Sequence, residues 1–160
     1  MPAVSNSTPL IILSKIGKLD ILKEYFKAVY IPQAVYLEVV LQGKGLKGSK
    51  EVDDAEWINV ENINNRLAAR TLSIHLGAGE AEAIILAEEK EMLLLIDDGD
   101  GRKTAKEMDL QITGTAGIIL KAGLDGKLDV EETIIQLEDV GFRLSNEVKE
   151  HLLRKSKANK

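Results

Sequence analysis

Asp97 and Asp98 stand side by side at the end of the apolar run Met92-Leu93-Leu94-Leu95-Ile96. Two carboxylates about 4 Å apart repel by roughly 4 kcal/mol at an effective dielectric near 20, so solvent or a cation must intervene. A divalent metal is one resolution. The other is that both acids turn to water and one of them caps the next helix. What separates the two is whether further acids reach the same place.

Three more positions put a carboxylate, or its amide relative, at or near an element boundary. Asn6 closes the short segment Ala3-Val4-Ser5-Asn6. Glu38 lies among Leu37, Val39 and Val40, where it must reach solvent, a cation or a metal, because burying an acid unpaired is costly. Glu80 follows Gly79 at a helix start, where it also complements the helix dipole by about 0.3–1 kcal/mol. Glu82, two positions along on another face, is expected to point to solvent. Hard oxygen donors, with no cysteine and only two histidines in the chain, select Mg²⁺ or Mn²⁺ over zinc. Arg102 and Lys103, just past the acids, either steady a backbone phosphate or are ordinary solvated helix charges.

The elements that must position these residues follow from punctuation and period. Short apolar runs at 3–6, 29–31, 57–60, 93–96 and 110–112 read as strands, with 57–60 at an edge. Between them lie helical patterns: one begun by Ser7-Thr8-Pro9, one over 19–26, and one opened by Pro32 and broken at Gly43. Further helices are expected over 64–75, 80–90 and about 101–108, after Gly114, and twice beyond Asp129. Strand and helix alternate throughout, which predicts an α/β fold with a parallel sheet between helices. The run at 92–96 is apolar throughout, as a strand covered on both faces requires. In such a sheet the strands' carboxyl ends share one edge, where ligands bind.

With 160 residues the chain is one domain of ordinary size. A net charge of −5 argues against a general electrostatic nucleic-acid binder, though not against an enzyme whose acids are gathered in a metal site. The absence of cysteine and of a basic, apolar leader makes a cytoplasmic setting the expectation, and no apolar run is long enough to span a bilayer. A folded unit over 1–148 is expected, with 149–160 as a basic, frayed tail.

The stretches Val4-Ser5-Asn6-Ser7-Thr8-Pro9-Leu10, Ile31-Pro32 with Val35 and Glu38, Gly79-Glu80-Ala81-Glu82-Ala83, Ile96-Asp97-Asp98 with Arg102, and Thr113-Gly114-Thr115 together resemble the PIN-domain family. Within it they are most similar to the VapC-like group with a Gly-Glu-Ala-Glu-Ala helix start, and the match runs in order over nearly the whole chain. The resemblance implies a three-layer α/β/α fold with a small parallel sheet. It implies metal-dependent cleavage of RNA, a toxin's role beside a VapB-like antitoxin, and a homodimer. It places Asn6, Glu38, Glu80 and Asp97 or Asp98 on Mg²⁺ or Mn²⁺, with Thr8, Arg102, Lys103 and Thr115 on the substrate side. Asn6 departs from the pattern, since the family usually has Asp there; a neutral carbonyl in its place weakens a site of few ligands. A catalytically weakened binding module is therefore the alternative.

Other motifs carry less. The glycine-rich segment 43–50 ends Gly-Ser-Lys where a phosphate loop needs Gly-Lys-Ser/Thr, and is expected to be a mobile loop. His75 and His151 lack metal spacing, and a receiver-like or phosphatase domain would want a lysine at a later strand end, whereas Lys121 falls within a helix.

Overall fold

Each short apolar run becomes a strand because the crossover between it and the next is long enough to hold a helix. In the computed structural model, which describes residues 1–158, the strands are β1 (Ala3–Ser5), β2 (Val29–Pro32), β3 (Ile58–Glu61), β4 (Leu93–Leu95) and β5 (Ile112–Thr113). All pair in parallel, in the order β3-β2-β1-β4-β5. The helices are α1 (Ser7–Lys15), α2 (Ile21–Tyr25), α3 (Gln33–Tyr36), α4 (Ser49–Asp54), α5 (Arg66–Leu72), α6 (Ala78–Lys90), α7 (Gly99–Glu107), α8 (Thr115–Leu124), α9 (Val130–Asp139) and α10 (Asn146–Ala158).

Side-chain alternation divides the core between the two faces of the sheet. Ala3, Val29, Ile31 and Leu95 pack with Leu10, Leu13, Val35 and Ile119 on one face. Val4, Leu94 and Ile96 pack with Ile84, Ala87 and Ala105 on the other. The result is the three-layer α/β/α arrangement expected, with β3 at an edge.

Three local readings change. The helix after Pro32 does not run as regular α-helix to Gly43: α3 passes into a π-helical turn at Leu37–Leu41 that carries Glu38. The segment 43–50 is not wholly a loop. It ends in α4, where Ser49 Oγ donates to the Val40 carbonyl at 2.7 Å and Gly48 N donates to Glu51 at 3.1 Å. The expected frayed tail is instead mostly helix. Residues 149–158 belong to α10, which buries Leu152 against Val130 and Ile134 and ties Lys149 Nζ to Glu138 at 3.0 Å. Residues 159–160 of that tail lie outside the described residues. Among the described residues no helix is long and apolar enough to cross a membrane.

Candidate active site at the carboxyl edge of the sheet

The strand order reverses direction between β1 and β4, and in open parallel sheets the crevice outside the carboxyl ends at such a switch point receives the ligand. Register places the acids there. Ser5 lies opposite Leu95, and Asn6 N donates to the Leu95 carbonyl at 2.9 Å, so Asn6 and the 97–98 corner leave adjacent strands together. Asn6 is 2% exposed and is the N-terminal boundary residue of α1, yet its side chain makes no capping bond.

Two helices close on this edge. Glu38 comes from the exposed side of the π turn, and π turns recur at functional sites because they re-aim side chains. Gly79, buried in the first turn of α6, lets it approach. A β-carbon on residue 79 would meet Glu38 Oε2 at 2.9 Å, Asn6 Oδ1 at 3.4 Å and Ser7 Oγ at 3.6 Å. Ser7 Oγ is buried without a hydrogen-bond partner among the described residues. Three oxygens, one from the π turn and two from the start of α1, thus surround one small space against α6.

Glu80 stands on the same helical turn. Its carboxyl is raised above the ordinary range, first by burial and then by the negative charge of Asp98, with a smaller push from Glu38; the backbone amides of Gly77 and Glu80 oppose the rise. Glu38, Glu80 and Asp98 therefore share an electrostatic neighbourhood. Asp98 also caps α7, its Oδ2 accepting from Gly101 N at 2.8 Å. The capping role weighed in the sequence holds for this acid, which also adds negative charge to the edge.

With that geometry in place, comparison with known proteins settles the family. The profile of DUF3368, a PIN domain, matches residues 2–158. The chain belongs to the PIN-domain family. A PilT N-terminus domain protein, SSO1118 from the hyperthermophilic archaeon Sulfolobus solfataricus P2, has a similar structure with a TM-score of 0.51. It is 19% identical, and the likeness covers 81% of this chain and 95% of that one. That likeness shows the shared fold. No curated protein sequence gives a significant match. A PIN domain is a nuclease-type fold.

In this PIN domain the two neighbouring aspartates are not equivalent. Asp97 is half-buried and both its oxygens are engaged: Oδ1 accepts from Thr115 N at 2.8 Å and Oδ2 from Thr115 Oγ1 at 2.6 Å. Burial pushes its carboxyl above the ordinary range, while Thr115 and the Arg102 guanidinium pull it back. Arg102 Nη1 donates to the Ile96 carbonyl at 2.9 Å. Gly114 makes this corner possible, because a β-carbon there would come to 2.6 Å from Asp97 Oδ1 and 2.9 Å from Arg102 Nη1. Asp97, Thr115 and Arg102 form a brace behind the edge, and Asp98 is the exposed member of the pair.

The remaining expected residues separate. Lys103 is exposed on α7, and Thr8 is half-buried on the first turn of α1. The hydroxyl beside Asn6 and Glu38 is that of Ser7, which sequence reasoning passed over in favour of Thr8. The small Asn-Ser pair before Thr8 was its signal. Glu82 does not simply face solvent: its Oε1 accepts from Ala34 N at 3.1 Å.

The donors fit a hard divalent cation in kind: carboxylate oxygens from Glu38, Glu80 and Asp98, the Asn6 carbonyl, and an unpartnered Ser7 hydroxyl. Among the described residues no three acidic or histidine side chains are drawn together tightly enough to enclose an ion.

Proposed function

We propose that this PIN domain is a metal-dependent endoribonuclease. The observation that supports the reading is the approach of Glu38 to Asn6 around Gly79 at the sheet's switch point, with Glu80 next to Gly79 in the charge field of Asp98 and Glu38. Glu38 and Asp98 would be direct ligands of Mg²⁺ or Mn²⁺, with the Asn6 carbonyl beside them and Glu80 binding a second cation or orienting water. A cation held there supplies a lowered pKa for attacking water and neutralises charge on the phosphoryl oxygens. The chain's own residues set the stage. Gly79 keeps the approach to Glu38 open, and the Asp97–Thr115 contact holds the end of β4 against α8. With Arg102 Nη1 spent on the Ile96 carbonyl, its guanidinium stiffens the corner as well as offering charge to a phosphate. Lys103 is the more open cation.

Two clefts with basic side chains in their walls lie along the helical segments that carry Glu80 and Glu38. One of about 470 Å³ is lined by Arg66, Arg70, Ala78 and Glu82. Another of about 650 Å³ is lined by Tyr36, Leu41, Lys44, Lys47 and Lys50. An antitoxin partner and a homodimer belong to the same reading and rest on the sequence resemblance.

A second reading is favoured by one observation. Asn6 puts a neutral oxygen where the site would otherwise hold a fourth charge, so a PIN domain that binds RNA or a partner without cutting is the alternative. Incubation of single-stranded and structured RNA with Mg²⁺ or Mn²⁺, beside a Glu38→Gln control, separates the two. Cleavage by the wild type alone supports the nuclease. Equal cleavage by both proteins, or none by either, leaves the binding module.

A further inference from the structure

We infer that Glu82 is a positioning residue, which clamps the helix carrying Glu38 against the helix carrying Glu80 and thereby sets the spacing of the cation-binding carboxylates. The inference deepens the nuclease reading and rests on it.

The need for such a clamp begins at Pro32. α3 starts directly after it with no side-chain cap of its own, so its first N–H groups lack acceptors within the helix. Glu82 supplies one from 48 residues away, its Oε1 accepting from Ala34 N at 3.1 Å in a partly buried setting. A carboxylate at that end also complements the positive end of the helix.

The second contact between the same two elements is the approach of Glu38 Oε2 to Gly79. Ala34 and Glu38 are four residues apart, and Gly79 and Glu82 are three apart, so on each helix the two contacts lie one turn from each other. Two points of contact fix both distance and rotation where one would leave a pivot. Glu80 sits between Gly79 and Glu82 in sequence, so the turn being clamped is the one that bears it. The π turn raises the need for restraint, because its wider winding directs Glu38 out of the regular helical ladder.

A purely structural cap would stabilise α3 without regard to Glu38, and the test must tell the two apart. Glu82→Met keeps the side-chain length and removes the acceptor; Glu82→Gln keeps an acceptor. Mn²⁺ binding to the full chain is measured calorimetrically for the wild type, both variants, Glu38→Gln, and Glu38→Gln combined with Glu82→Met. The expected result is a loss of about 10–100-fold in Mn²⁺ affinity for Glu82→Met, the range seen when groups that orient a metal's ligands are removed. Glu82→Gln restores most of it. In the Glu38→Gln background Glu82→Met adds no further loss, because the two act in series. Undiminished affinity in Glu82→Met, or the same added loss in both backgrounds, overturns the inference.

If the wild type binds no Mn²⁺, the nuclease reading fails, and NMR on the same proteins decides the clamp. Faster amide exchange at Ala34 with a displaced Glu38 carboxyl signal in Glu82→Met, both reversed in Glu82→Gln, upholds it. An unmoved Glu38 signal overturns it.

Discussion

Glu38 and Gly79 meet so closely that a β-carbon on residue 79 would come within 2.9 Å of the Glu38 carboxylate. The contact joins the π turn to the first turn of α6, and it makes position 79 a reporter for the edge.

Gly79→Ala is expected to separate stability from activity. Alanine favours helix over glycine by about 1 kcal/mol, which offsets the strain of moving a flexible carboxylate. The midpoint of thermal unfolding should therefore stay within a few degrees of the wild type. Divalent-dependent RNA cleavage should fall by at least tenfold, as Glu38 is pushed away from Asn6. Retained cleavage would mean that Glu38 acts from another position.

Asn6→Asp puts a charge into a nearly closed position beside Glu38. Without metal the buried carboxylate should destabilise the fold by about 1–3 kcal/mol. With Mn²⁺ the order should reverse, since each tenfold gain in affinity adds about 1.4 kcal/mol of stabilisation at saturating ion. Urea titrations with EDTA and with Mn²⁺ check both halves, and cleavage should rise in parallel.

Glu80 predicts a pH dependence whose sign is fixed by its raised carboxyl. The folded form binds that proton more tightly than the unfolded chain. The associated stability is fully present below the ordinary value of 4.5 and is lost as pH rises through the raised folded value. Glu80→Gln removes this loss, so in EDTA the variant should be more stable than the wild type at neutral pH. The difference should shrink toward pH 4 in chemical denaturation series. Mn²⁺ should then stabilise the variant less than the wild type.

Asp97 and Asp98 should fail in different ways. Thr115→Val removes the hydroxyl that bonds Asp97 Oδ2, and such a bond to a charged group is worth about 1.5–3 kcal/mol. Denaturant unfolding should show that loss. Asp98→Asn keeps a helix-capping oxygen, so stability should change by a few tenths of a kcal/mol while cleavage falls about a hundredfold or more. The reverse pattern would exchange the roles assigned to the two acids.

The strands and most helices are legible in the sequence because their signals are local. The run at 92–96 is apolar on both faces, and glycine or proline marks most boundaries. Glu38, Glu80 and the Asp97–Asp98 pair are legible as candidates because each acid stands near a strand end or in a helix that follows glycine or proline, and parallel strands bring their carboxyl ends to one edge. What sequence leaves open is anything decided by a distant partner. Glu82 has the period of a solvent-facing residue, and only the packing of α3 on α6 gives it Ala34 to bind. The choice between Asp97 and Asp98 turns on Thr115, 18 residues away. Basic residues at 149–160 suggest fraying, but Leu152 in that helix finds a buried place against α9.

The tie from Thr115 back to Asp97 has a consequence for biosynthesis. A polypeptide emerging from the ribosome lacks its finished acidic edge until that threonine clears the exit tunnel, because domains fold as units. On the proposed reading, half-made copies are inert toward the very message being translated.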